Sequence, residues 1–308
     1  MDGYRAAVPP RLSGWDEPAR IHHEPRPGQW QRIIVDRGQD VEAVPVTGNH
    51  PADTVCEGWS AGGFTVRLAS SRGDAHRHDG RPRQDHAVAT VHPGTGALLL
   101  AVFDGVSAAP YAHIGADVAA KATLTGLRYA VEASSIVDWT AVFGRAADAL
   151  LRHATYGQQP GETPVDVERR LATTVVAAVV DATAAGPRVQ VARIGDSAAW
   201  YLRGTGFQPI FAGKFSGVTT SSAVEPLPRV PARIESAELS LGPDGVLLLG
   251  TDGIGDPLGD GTGLVGRLLG ANLATPPPPL GFAHLVDFGR ETFDDDRTLI
   301  AVWPGRSR

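Results

Sequence analysis

The chain has 308 residues, 42% hydrophobic and 20% charged, with 37 Gly, 24 Pro and a formal net charge of −6. A chain this long buries roughly 75% of its unfolded surface, so a large core needs no covalent staples, and the single cysteine, Cys56, excludes an intramolecular disulfide or a cysteine-rich metal site. The acidic balance argues against nucleic-acid or membrane-surface partners, no apolar run approaches the ~20 residues of a membrane span, and the lack of an apolar signal core makes the cytoplasm the expected location.

Residues 1–60 are rich in Pro, Gly, His and Arg, and their one convincing apolar run is Arg32-Ile-Ile-Val35. They read as a loosely ordered N-terminal extension, with the folded domain over 61–303 and a short tail at 304–308. Regular patterning begins with the alternating strand Gly63–Ala69. Two more strands, Ala87–Val91 and Ala97–Phe103, flank the turn residues His92-Pro-Gly-Thr-Gly96 and predict a hairpin. From Ala112 to Ala133 and from Trp139 to Thr155 the apolar spacing becomes helical. Strands return at Thr173–Val180, Arg188–Ile194 and Ala198–Leu202. An irregular stretch, Gly206–Pro231, precedes the strand-like runs Ile234–Leu241 and Gly245–Leu249 around the turn Gly242-Pro-Asp-Gly245. Helices are expected at Gly263–Leu273 and Phe282–Glu291, and Thr298–Trp303 closes the chain as a strand. Hairpin-paired strands with helices in blocks predict an α+β fold.

Four aspartates occupy similar positions. Asp104, Asp196 and Asp252 each follow an apolar strand, and Asp295 sits just before the last one. Asp-Gly and Asp-Ser after a strand are common turns, but strands apolar for four or more residues are buried on both faces, so their ends open into a crevice. In antiparallel neighbours, one strand's end lies beside the next strand's start, which can gather these acids at one sheet edge. Two carboxylates about 4 Å apart repel by roughly 4 kcal/mol at an effective dielectric of 20. Such a cluster needs protons or cations, and all-oxygen donors favour Mg2+ or Mn2+. Gly105 and Gly253 let the backbone come close to an ion.

Ala101-Val-Phe-Asp-Gly105, Arg193-Ile-Gly-Asp-Ser197, Leu248-Leu-Gly-Thr-Asp-Gly253 and Asp294-Asp-Asp-Arg-Thr298 resemble, in order, the signature segments of the metal-dependent PP2C-type (PPM) serine/threonine protein phosphatases, bacterial type. Gly80-Arg-Pro-Arg-Gln-Asp-His86 resembles that family's first acidic motif, and Leu171-Ala-Thr-Thr-Val175 its small-residue strand. The resemblance covers residues 62–303. It implies a central β-sandwich of two antiparallel sheets flanked by α-helices, in four layers, and a phosphorylated protein as substrate. It also implies two Mg2+ or Mn2+ ions, with a third more weakly held. By position, Asp104 bridges two ions and Gly105 gives a carbonyl to the second. Asp252 and Asp295 complete the first ion's ligands, Asp196 shares a third ion with Asp252, and Asp85 orients a water. The implied chemistry is in-line attack on phosphorus by a water acidified between two ions, without a covalent phosphoenzyme.

The departures are specific. Gln84 stands where many members have Glu, Val106 where many eukaryotic members have His, and Gly80 where the phosphate-binding Arg normally lies. Arg81, Arg72, His76 and His78 are the nearby substitutes, and Arg81 is preferred. The irregular stretch, with Thr219-Thr-Ser-Ser222, sits where the family places its flap. The alternative, encouraged by these losses, is a catalytically inactive PP2C-like binding or regulatory module; the retained acids argue against it. Gly195-Asp-Ser197 also resembles the GDS-type esterase motif, but position 281 is Gly, so the Asp-x-x-His that His284 would need is missing. Gly250-Thr-Asp-Gly-Ile-Gly255 lacks the glycine spacing of a dinucleotide loop.

Overall fold

The computed structural model describes residues 31–36, 41–48, 50–156, 163–184, 186–211 and 225–305. In chain order the elements are β1 (Ile34–Val35), β2 (Thr54–Ala61), β3 (Phe64–Ser71), α1 (Asp74–Asp79), β4 (His86–Val91), β5 (Leu98–Phe103), α2 (Ala112–Ala133), α3 (Trp139–Tyr156) and α4 (Pro164–Leu171). There follow β6 (Val175–Thr183), β7 (Gly186–Ile194), β8 (Ala198–Arg203), β9 (Gly206–Pro209), β10 (Glu235–Ser240) and β11 (Gly245–Gly250). The last are α5 (Asp252–Leu258), α6 (Leu264–Asn272), α7 (Pro279–Val286), β12 (Gly289–Arg290) and β13 (Arg297–Pro304).

Two antiparallel sheets stack face to face. One has the order β10-β7-β6-β5-β4 and the other β2-β3-β13-β11-β8-β9. The reason lies in the period-2 alternation of strands that are apolar on both faces. On β5, Leu98, Leu100 and Val102 point between the sheets with Val176, Val191, Leu247 and Ile300. Leu99, Ala101 and Phe103 point the other way, onto Ala116, Ala119 and Ala120 of α2 and Phe143 of α3. The small alanines on strand and helix let α2 lie close. The outer face of the second sheet carries Leu248, Leu299 and Ala301 against Leu268 and Leu269 of α6 and Phe282 and Leu285 of α7. Helix, sheet, sheet, helix makes four layers, as expected.

Several details differ from the sequence expectation. The proposed boundary at residue 60 falls within β2, which pairs along its whole length with β3. Further upstream, Ile33 and Val35 are buried among the residues beneath α7, and β1 runs parallel to β12. Ile33–Val35 and β2 are therefore packed against the domain, while most residues of 41–48 are exposed. The last helix ends at Val286, not Glu291, because residues 289–290 pair with β1. The irregular stretch opens with a strand, β9, paired with β8. Thr219–Ser222 lies outside the described residues.

Candidate metal centre

The antiparallel register gathers the acids. His86 faces Phe103, so Asp85, just before β4, lies beside Asp104, just after β5. Val175 faces Ile194, which sets the end of β7 and the following Asp196 at the same edge. Gly250 faces both Ala198 and Leu299, which brings Asp196, Asp252 and the start of β13 together. Asp104, Asp196 and Asp252 each offer a carboxylate oxygen, and these oxygens lie within 4.8 Å of one another. Asp295 falls in an adjoining group with His76 and Asp296, whose ligand atoms lie within the same distance. The four strand-end aspartates thus converge, but as two groups rather than one.

The electrostatics are those of crowded acids. Burial, then the charges of Asp85, Asp252 and Asp295, pushes Asp104 well above the usual carboxylate range. Burial, then Asp296 and Asp295, does the same to Asp85, although Thr251 Oγ1 donates to Asp85 Oδ2 at 2.9 Å. Asp252 is raised to about 6, first by burial, against a hydrogen bond shared with Asp104. Burial and Asp296 raise Asp295. The nearby Arg83 is buried and spends one nitrogen on Ser70 Oγ at 2.5 Å and the Asp85 carbonyl at 2.6 Å. Arg83 alone does not balance the carboxylates of Asp85, Asp104, Asp252, Asp295 and Asp296. Hard divalent cations suit such an all-oxygen donor set, so the residues fit the ions the sequence implies.

Backbone packing holds the arrangement. A Cβ on Gly105 would meet Gln84 O at 2.8 Å and the Ala112 Cβ at 2.9 Å, so the chain after Asp104 passes too close for any side chain. The Asp104 carbonyl accepts from Thr174 N–H and Thr173 Oγ1, both at 2.8 Å. Asp296, 1% exposed, accepts Gly73 N–H at 2.6 Å and Gln84 N–H at 2.5 Å, tying the first acidic motif to the Asp294–Asp296 run.

The phosphate-binding candidates scatter. Arg81 is 41% exposed and pairs with Asp79 at 3.2 Å. Arg72 is buried on Asp53 at 3.1 Å. His78 is 80% exposed beside Asp79. His76 belongs to the second acid group. Ser197, the serine of the esterase-like motif, is fully buried with its hydroxyl 2.6 Å from Thr174 Oγ1, which removes it as a nucleophile. Sequence reasoning missed Asp296, Arg83 and Thr251. Asp296 was hidden in a run of three aspartates, and the other two carry no spacing signal.

A groove of about 190 Å3 opens over Asp252, Asp256, Thr292 and Asp295, so Asp252 and Asp295 are reachable from outside. Among the described residues, no helix is long and apolar enough to cross a membrane.

A family model described as protein phosphatase 2C matches residues 72–271, more than half of the chain. The match stops short of Asp295. No curated protein matches. Among solved structures, a bacterial serine phosphatase is 17% identical with a TM-score of 0.54, covering 79% of this chain and 98% of its own. A serine/threonine phosphatase of S. agalactiae is 14% identical with a TM-score of 0.51, covering 78% and 99%. At such identities these two establish likeness of fold alone.

Proposed function

The chain belongs to the protein phosphatase 2C family, and from that premise we propose that it hydrolyses phosphoserine and phosphothreonine monoesters on proteins, in the cytoplasm, using two or three Mg2+ or Mn2+ ions. The observation that carries this reading is the convergence of Asp85, Asp104, Asp196, Asp252 and Asp295 from five separate segments onto one sandwich edge, where burial and mutual repulsion push Asp85 and Asp104 well above the usual carboxylate range. A protein without ions has no reason to hold so much repulsion in place.

In this reading Asp104, Gly105, Asp196, Asp252 and Asp295 hold the cations. When bound, such ions supply positive charge for the phosphoryl oxygens and make a water acidic enough to attack near neutral pH. Asp85, fixed by Thr251, orients that water and takes its proton. With Ser197 buried and bonded, a direct attack by water is favoured over a covalent intermediate. Arg81 is taken as the group for the phosphoryl oxygens because its pair with Asp79 is exposed and screened by solvent, so it holds the guanidinium only weakly. Phosphate monoesters are among the slowest substrates to react unaided, so charge stabilisation has to supply most of the acceleration.

Hydrolysis of p-nitrophenyl phosphate, measured with Mn2+, with Mg2+ and with chelator, tests the proposal. Turnover is expected only with a divalent ion, and Asp104→Asn is expected to lower it more than about 100-fold, since even changes behind the ligands cost roughly 10–100-fold. Activity that survives both chelator and Asp104→Asn sinks the mechanism. Ion binding without turnover identifies a binding module instead.

A further inference from the structure

The proposed reading uses Asp295 beside Asp104, Asp196 and Asp252 and leaves His76 and Asp296, which adjoin it, without a role. His76, on α1, lies against Asp295 and Asp296, which enter β13, and the three ligand atoms fall within 4.8 Å of one another. We propose that His76, Asp295 and Asp296 form a separate cation site, one imidazole nitrogen with two carboxylates, that takes a first-row transition ion such as Mn2+ in preference to Mg2+.

The buried histidine is the observation that separates this group from an ordinary patch of acids. His76 is 2% exposed, and its Nδ1 lies 2.9 Å from Asp296 Oδ1. Yet Nδ1 makes no aligned hydrogen bond. The contact has the distance of an ion pair, but a neutral ring whose Nδ1 lone pair faces the carboxylate oxygen is repelled by it. An ion facing both atoms turns that contact into a favourable one.

The carboxylates are prepared for such an ion. Asp296 is held rigidly by the Gly73 and Gln84 main-chain N–H groups, one on each oxygen. Each oxygen keeps a second lone pair. Asp295 accepts from Asp296 N–H through Oδ1 at 2.8 Å, which leaves its other oxygen uncommitted. Asp295 also acts electrostatically on Asp104 and Asp252, so it stands between the two groups.

Donor chemistry gives the selectivity. Mg2+ takes oxygen ligands in near-ideal octahedral geometry and dehydrates reluctantly. Imidazole suits first-row transition ions, and carboxylates accept Mn2+. A site with one nitrogen and two carboxylates, deep enough to strip water from the ion, therefore discriminates against Mg2+. The site shares Asp295 with the proposed phosphatase centre and rests on that reading to this extent only.

The experiment is pulsed electron paramagnetic resonance on the full chain loaded with Mn2+, with and without [15N]histidine labelling. An imidazole 14N coupling is expected. It should convert to a 15N signal on labelling and persist under a large excess of Mg2+. His76→Gln should lose the coupling and bind one Mn2+ fewer, while Asp104→Asn should keep it and lose an ion from the other group. Mn2+ bound to the unaltered chain without nitrogen coupling overturns the proposal and leaves the phosphatase reading standing. A coupling that Asp104→Asn abolishes also overturns it, because the site is then not separate. Retained coupling with no p-nitrophenyl phosphate turnover sinks the phosphatase reading alone. Should His76→Gln fail to fold, absence of an imidazole coupling in the unaltered chain, or its loss in Asp104→Asn, still overturns the proposal.

Discussion

Asp252 shows at one residue how a reactive site is kept at the expense of stability. It opens α5 right after β11, and burial together with Asp196 and Asp295 raises its pKa to about 6. The unfolded value is near 3.8. Between those limits the folded chain binds the proton more tightly, so protonation favours the fold at low pH and that support is lost as pH rises. In chelator, melting temperature should therefore fall from about pH 4 to about pH 6, and Asp252→Asn should flatten the fall. A saturating divalent ion should flatten it as well, by replacing the proton. An unchanged slope in Asp252→Asn would show that the repulsion is relieved elsewhere. At this scale the strand-end aspartates were legible because each adjoins an apolar run. His76 was not, because it lies in a polar stretch where nothing marks which of several histidines turns inward.

At the scale of elements, the site depends on how close α5 comes to the entry of β13. A Cβ on Gly253 would sit 1.9 Å from the Asp296 carbonyl oxygen. Both partners are backbone, so neither yields cheaply. Gly253→Ala should push α5 away from the Asp294–Asp296 run, carrying Asp252 from Asp295. The expected outcome is a loss of about 1–3 kcal/mol in urea unfolding and a roughly 10–100-fold weaker Mn2+ affinity by titration calorimetry. Unchanged affinity would mean that the two acid groups do not depend on each other's spacing. The strands buried on both faces were readable because Val, Leu and Ala run unbroken in them. By contrast α5, Asp-Gly-Ile-Gly-Asp-Pro-Leu258, has the composition of a loop, and only packing against Trp200 and β13 makes it a helix. The edge strand β2 was missed for a related reason: its residues are mostly half-buried or exposed, so hydrophobic pattern barely marks it.

Across the whole molecule, the segment before β2 is where composition misled. Pro- and Gly-rich sequence hides a short apolar insert, and its burial depends on a partner some 250 positions away in the chain. Ile33 and Val35 are 1% and 0% exposed. Arg32 donates to Asp74 Oδ1 at 2.6 Å, to the Asp287 carbonyl at 2.7 Å and to the Phe288 carbonyl at 3.3 Å. Arg77 joins the same group, reaching Asp74 at 3.2 Å and Asp287 at 2.7 Å. The segment thus clamps α1 to the end of α7 and to β12, which leads directly into the run that holds Asp295. A chain beginning at residue 37 should be roughly 3–6 kcal/mol less stable than one beginning at residue 31, from two apolar side chains at about 1.5–3 kcal/mol each. Asp74 keeps Arg77, so the loss of Arg32 should add less than the removal of a sole buried partner would. The shorter chain should also bind Mn2+ more weakly, because Asp295 and His76 flank the two elements that the clamp joins. Urea unfolding and calorimetric titration of the two chains give both quantities. Equal midpoints would show that β1 merely rests on the domain, whereas a lower midpoint with unchanged Mn2+ affinity would confine its role to the hydrophobic layer under α7.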